Sequence, residues 1–174
     1  VLEADESDGS FLKLPINYSV VTNVDNEHLD FYKSYQNLKR AFVKFINKTP
    51  PIGKSIVCID DRNLKEILKE VKTKNYLTYG FNDKAHYQIL KTKYKSNFTN
   101  FEIKYKNNIS KNIVIKNITL NLIGKHNVLN ATAAIAICLN LGIKINIIKK
   151  ALRKFSGVQR RLTKIFTKDN KDFY

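Results

Sequence analysis

Residues 55–80 read SIVCIDDRNLKEILKEVKTKNYLTYG, and their order decides the architecture. SIVCID (55–60) is a short apolar run of strand length. The following DDRNLKEILKEVK opens on capping aspartates, and its Leu64, Ile67, Leu68 and Val71 recur at three- and four-residue spacing, which puts them on one face of a helix. NYLTYG (75–80) is a second run of strand length, closed by glycine. Strands alternating with helices predict a parallel α/β sheet.

Upstream the same alternation holds. VVTNV (20–24) reads as a buried β-branched strand, and residues 1–3 as the tail of another. SYQNLKRAFVKFINK (34–48) is a helix capped by Ser34, with Tyr35, Leu38, Phe42 and Phe45 on one side and Pro50-Pro51 as its stop. Downstream the period changes from helical to two. Phe101, Ile103 and Tyr105 alternate with Glu102, Lys104 and Lys106, an Asn107-Asn108 turn follows, and Ile118, Leu120 and Leu122 alternate in NIVIKNITLNLIG (112–124). Two helices follow, over about 127–140 and 147–155, the first stopped by Gly142. The predicted fold class is therefore α/β: a parallel sheet with flanking helices plus an attached small antiparallel β-sheet. Residues 1–155 form one domain, 156–161 (SGVQRR) a linker, and 162–174 the first strand of another domain.

Composition narrows the classes. With 43% hydrophobic and 26% charged residues the chain is a globular protein, not a disordered one. Lysine and arginine total 31 against 15 acids, a net charge of +16. Two readings of that excess stand: an anionic partner, or a coding bias toward Lys, Ile and Asn, which the even spread of the lysines favours. Cys58 and Cys138 lie in apolar runs outside any C-x-x-C pair, as buried thiols of a reducing compartment do. The longest apolar stretch, ATAAIAICLNLGI (131–143), is too short and too interrupted to span a bilayer. The chain reads as cytosolic, without membrane insertion, and both its ends read as cut from something longer.

Three clusters are candidates for chemistry. EADESD (3–8) and DNEHLD (25–30) each follow a predicted strand, so Glu3 and His28 emerge at carboxyl ends, where open α/β sheets place their ligand crevice. Carboxylates there suit Mg²⁺, which takes oxygen ligands; equally, Asp5, Glu6, Ser7 and Asp8 are residues that turn a chain and cap a helix. In GKHNVLNATAA (124–134), Asn127 and Asn130 lie three apart at a helix start, a spacing that suits reading a purine edge as well as simple capping. Arg160 and Arg161 follow Gly157, either as a phosphate clamp or as solvated linker charges. By contrast, Gly53-Lys54-Ser55 is no phosphate-binding loop. Lys48 stands where the motif needs glycine, and a helix precedes where a strand belongs.

Six words, EADESDGSFL (3–12), VVTNVDNEHLD (20–30), CIDD (58–61), LTYG (77–80), GKHNVLNATAAIA (124–136) and GVQRR (157–161), occur in an order that resembles the Mur ligases. The resemblance implies the later part of a central ATP-binding domain and the opening of a C-terminal domain. It also implies an activity: ATP phosphorylates the muramyl carboxylate, and an amine attacks the acyl phosphate with release of ADP and phosphate. The word ESDGSF favours the branch whose substrates are UDP-N-acetylmuramate, L-alanine and ATP, with Mg²⁺ as the metal and no nucleic acid as partner. On this resemblance Glu3 and His28 are the metal-site residues, and His126, Asn127 and Asn130 bind the nucleotide. Arg161 addresses the ATP phosphates. The family's glycine-rich loop and its lysine are absent from these 174 residues, so the chain alone is expected to be inactive. The alternatives are a sister ligase adding another amino acid or peptide, and a basic nucleic-acid-binding module using Tyr94, Phe101 and Tyr105.

Overall fold

The computed structural model describes residues 1–106, 111–158, 166–168 and 171–173. A 3₁₀ turn (Ser10–Lys13) leads into strand β1 (Tyr18–Val21), a one-turn helix α1 (Leu29–Tyr32), helix α2 (Tyr35–Asn47) and strand β2 (Lys54–Cys58). Helix α3 (Arg62–Ile67), strands β3 (Tyr76–Gly80), β4 (Tyr87–Tyr94), β5 (Thr99–Lys106) and β6 (Asn112–Leu120), and helices α4 (Lys125–Asn140) and α5 (Ile145–Lys154) follow. Strands β1 to β6 form one sheet in sequence order. The pairs β1·β2, β2·β3 and β3·β4 are parallel, whereas β4·β5 and β5·β6 are antiparallel. The expected parallel layer and antiparallel strands are both present, but as a single continuous sheet. Strands β7 (Phe166–Lys168) and β8 (Lys171–Phe173) pair with each other, outside that sheet.

β2 sits at the centre of the packing. Ser55, Ile56, Val57 and Cys58 are all buried in succession, which requires cover on both faces. Alternate residues point to opposite sides. Ser55 points to the side where Thr49, just past α2, packs; Cys58 faces the N-terminal turn of α4. The Ser55 hydroxyl is fully buried and bonded to Ser19 of β1 and to Thr49, each at 2.6 Å. That hydroxyl chain satisfies three buried polar groups while tying β1, β2 and the end of α2 together. It also disposes of Gly53-Lys54-Ser55 as a phosphate loop, since this serine is a ladder residue of the core. Gly53 is required by close approach: a Cβ there would run into the main-chain oxygen of Asn17. Phe11, from the 3₁₀ turn, packs its ring on Phe42 and Phe45 of α2 at centroid distances of 5.3 and 4.9 Å.

Several expectations change. Residues 1–6 are neither helix nor strand, and Val1 and Leu2 are exposed, so the anticipated strand at 1–3 does not form. β4 was not expected from the sequence. Its inward alternation of Tyr87 and Ile89 is broken by a register shift between Ile89 and Thr92, and a bulge of this kind erases the period-two signal. The Asn107-Asn108 turn and the region of the expected linker beyond residue 158 lie outside the described residues.

The seam between parallel and antiparallel halves is narrow: β3 and β4 are in register only at Tyr79↔Tyr87 and Gly80↔Gln88. His86 extends it. Its Nδ1 accepts the Thr78 main-chain N–H at 3.0 Å and lies 2.7 Å from the Thr78 hydroxyl, while the main-chain N–H of His86 donates to that hydroxyl at 3.1 Å. An accepting Nδ1 means a neutral ring, and burial holds the imidazole below its ordinary pKa of 6.5. The sign follows: the unfolded chain takes the proton first, so this contribution is complete above about pH 6.5 and is lost as pH falls from there through the lower folded value. We expect His86→Gln to be less stable than the wild type at pH 7.5, with the gap narrowing as pH falls below 6.5 in urea denaturation; a gap independent of pH refutes the assignment. Gly53→Ala is expected to cost about 1–3 kcal/mol by the same measurement.

Candidate active site

Parallel pairing brings the carboxyl ends of β1, β2 and β3 to one rim, and α4 starts there. Between them lies an open cleft of about 490 Å³, lined by Thr22 and Asn23 after β1, Cys58, Asp60 and Asp61 at the end of β2, Tyr79 of β3, and Lys125, His126, Leu129 and Asn130 of α4. Beside it is a smaller hollow of about 90 Å³ whose polar lining includes Glu6, Asp25, Glu27 and His28. Asn23 lines both, so the two hollows adjoin, one at the α4 N-terminus and the other at the acidic loop.

The α4 end of the crevice is built on glycine and capping. Gly124 precedes the helix at φ 111°, and a Cβ there would stand 3.0 Å from the His126 ring. Asn127 donates its side-chain N–H to the Ile123 carbonyl at 2.8 Å, which fixes the entry to the helix. His126 and Asn130, four apart and exposed, face the cleft, whereas Asn127 is not among its lining residues. Of the expected nucleotide-facing set, therefore, the structure brings His126 and Asn130 to the cleft and gives Asn127 a structural bond. Lys125 stands beside them with its ammonium 5.2 Å from the Phe81 ring centroid.

The floor explains two of the sequence words. The Asp60 carboxylate accepts the main-chain N–H groups of Phe81 and Asn82 at 2.9 and 3.0 Å, clamping the loop after β3 to the end of β2. Gly80, at φ 150°, leaves the room: a Cβ there would collide with that carboxylate. Asp61 caps α3 by accepting the Leu64 N–H at 2.7 Å. Cys58 and Tyr79 are buried neighbours in the floor, and burial pushes both the thiol and the phenol pKa up, so both stay protonated.

At the other end, the acidic loop divides its labour. Asp5 and Asp8 accept the main-chain N–H groups of Ser7 and Ser10, each at 2.8 Å, as turn formers do. Those hydrogen bonds hold both carboxyls below the usual range. Glu6 faces His28, Oε1 to Nε2 3.4 Å, with Glu27 Oε2 at 3.9 Å. His28 adopts φ 57° as the residue that precedes α1, in the left-handed region that non-glycine residues seldom occupy. Glu3 lies exposed on the same loop. Sequence reasoning paired His28 with Glu3; the structure sets Glu6 against the ring, and no spacing in the sequence could have told the two glutamates apart. Among the described residues, no group of three or more His, Cys, Asp or Glu side chains is gathered closely enough to hold a metal ion by itself. Arg160 and Arg161 lie outside the described residues. Of the aromatics considered for base stacking, Phe101 is core and Tyr105 is stacked on Tyr87 at 5.3 Å, leaving Tyr94 half exposed.

These features define an α/β domain with its ligand crevice at the carboxyl ends of parallel strands, where such sheets bind ligands. Residues 1–138 match the Mur ligase middle domain, and the chain belongs to the Mur ligase family. It is 50% identical over 174 residues to the UDP-N-acetylmuramate--L-alanine ligase of Pelagibacter ubique (strain HTCC1062), covering 100% of this chain and 38% of that protein. It is also 50% identical over 163 residues to the protein of the same name from Vesicomyosocius okutanii subsp. Calyptogena okutanii (strain HA), covering 93% of this chain and 34% of that one. The chain thus spans little more than a third of these relatives. In fold it is similar to MurF from Acinetobacter baumannii, at TM-score 0.72 and 24% identity over 92% of this chain and 34% of that one. It is similar too to a murein peptide ligase from Psychrobacter arcticus 273-4, at TM-score 0.67 and 20% identity over 90% of this chain and 30% of that one.

The clamp is open to test. Asp60→Ala is expected to release the loop after β3, shown by faster amide hydrogen exchange at Phe81 and Asn82 with the remaining sheet amides unchanged, and to cost about 1–3 kcal/mol for the donors left unpaired.

Proposed function

We propose that this chain is part of an ATP-dependent ligase that joins L-alanine to UDP-N-acetylmuramate in the cytoplasmic phase of peptidoglycan synthesis. Residues 1–155 belong to its central ATP-binding domain, 156–161 to a linker and 162–174 to the opening of its C-terminal domain. The observation that carries this reading is the pair of adjoining hollows that share Asn23, one at a helix N-terminus suited to a nucleotide and one lined by carboxylates and histidine. Identity of 50% to two alanine-adding relatives favours this branch over a sister ligase.

The rim suits Mg²⁺ in its donor chemistry. Glu6, Asp25 and Glu27 line the small hollow, and Mg²⁺ is usually held by one or two carboxylates, with water and substrate phosphate completing its shell. Glu3 and His28 are the residues the family resemblance assigns to the metal, and Glu6 is the carboxylate that faces His28. Imidazole is a poorer Mg²⁺ ligand than oxygen, so a glutamate partner for His28 makes chemical sense. Bound there, the ion would neutralise phosphate oxygens in a transfer between two anions. The chain's own residues do the rest: His126 and Asn130 present polar groups to a base, and Arg161 addresses the triphosphate. The muramyl carboxylate takes the γ-phosphoryl group with loss of ADP. The amine nitrogen then attacks the carbonyl carbon, expelling phosphate and releasing a proton.

The test uses the full-length protein that carries this chain. Glu3→Ala, His28→Ala and Arg161→Ala are each expected to lower alanine-dependent phosphate release by at least about a hundredfold, with circular dichroism unchanged. Wild-type rates in all three would overturn the reading, and preference for another amine would move it to a sister enzyme. The 174-residue chain alone is expected to release no phosphate from ATP with UDP-N-acetylmuramate and L-alanine.

A further inference from the structure

The last residue of α1 does something the proposed chemistry does not use. Tyr32 is buried to 8% exposure, yet its hydroxyl reaches out of the core and donates to the main-chain carbonyl oxygen of Glu6. The same oxygen accepts the Gly9 N–H at 3.1 Å, so both ends of the turn 6–9 are fixed through one atom. Gly9, at φ 71°, lies against the neighbouring ring: a Cβ there would stand 3.1 Å from Phe31. The other end of α1 is His28, whose ring meets the Glu6 side chain. The one-turn helix and the residue that caps it thus meet the acidic loop twice, Tyr32 at the carbonyl of Glu6 and His28 at its carboxylate. The helix is itself pinned, because Asn37 of α2 donates to the Tyr32 carbonyl at 2.9 Å.

We propose that Tyr32 is a positioning residue: its hydroxyl bond to the Glu6 carbonyl sets how far the carboxylates of the acidic loop stand from His28, and so sets the affinity of this rim for a divalent cation. This rests on the reading of the rim as a metal site. Removing the hydroxyl leaves ring packing in place but frees the loop to drift from α1. Outer partners that orient metal ligands typically change metal affinity by about 10- to 100-fold.

The test measures binding without turnover. Free Mn²⁺ is titrated by electron paramagnetic resonance into the full-length protein with a non-hydrolysable ATP analogue. Tyr32→Phe is expected to weaken Mn²⁺ binding about tenfold while the KM for L-alanine stays at the wild-type value. Gly9→Ala, which pushes the loop off Phe31 with the hydroxyl retained, is expected to weaken it in the same direction and serves if Tyr32→Phe does not fold. Wild-type Mn²⁺ affinity in Tyr32→Phe, or in Gly9→Ala where only that variant folds, overturns the proposal, whatever the unfolding midpoint. His28→Ala separates the two levels: if it weakens Mn²⁺ binding and Tyr32→Phe does not, only the role of the tyrosine fails. If His28→Ala also binds Mn²⁺ as the wild type does, the metal reading falls and the proposal with it.

Discussion

Everything in this domain is organised by a strand buried from Ser55 to Cys58. β2 is buried on both sides, with Ile56 and Val57 at 0% exposure, and a strand in that position tolerates neither a missing ladder partner nor a polar side chain without one. Its neighbours β1 and β3 run parallel to it, so all three strands end at the same edge. Helices cover both faces, buried hydroxyls such as those of Ser19, Ser55 and Thr49 bond to one another, and the crevice lies at the rim where the strands stop.

At the rim, polar residues serve the fold and the site together. Asp60 is spent on two main-chain donors, Asp61 on a helix cap, and Asp5 and Asp8 on their own turns. What remains facing the hollow is Glu6, Asp25, Glu27 and His28. A dense acidic word is therefore not a dense acidic site. Its aspartates shape the loop, and that shape decides which carboxylate meets the histidine.

This division explains how far the sequence could be read. The strand–helix–strand run at 55–80 and the helices at 34–48 and 127–140 carry periodic burial, which sequence records directly, and they formed as expected except that α3 stops at Ile67, leaving Leu68 and Val71 beyond its end. β4 was hidden because a bulge breaks its alternation, and residues 1–3 mimicked a strand by composition while making no strand pairing in the fold. The candidate residues were legible by type, since His28, His126 and Asn130 do reach the crevice. Their partners were not. Asn127 turned back to Ile123 depends on local turn geometry, and Glu6 rather than Glu3 against His28 and Tyr32 beneath the loop depend on contacts across more than twenty residues, for which one sequence carries no period.

The electrostatics of the loop make the tyrosine contact durable. Burial raises the Tyr32 pKa, and the nearby charges of Glu6, Asp8 and Asp5 raise it further, so the phenol keeps its proton and remains a donor. The same neighbourhood acts in the opposite direction on Asp5 and Asp8, whose hydrogen bonds from Ser7 and Ser10 keep them ionised. A phenol that keeps its proton, donating to a main-chain carbonyl that does not titrate, gives a bond whose two sides do not change state near neutral pH. Residues such as His86 can answer to acid. The bond from Tyr32 to the Glu6 carbonyl does not, so this half of the hold on the acidic loop is a property of the fold and not of the conditions.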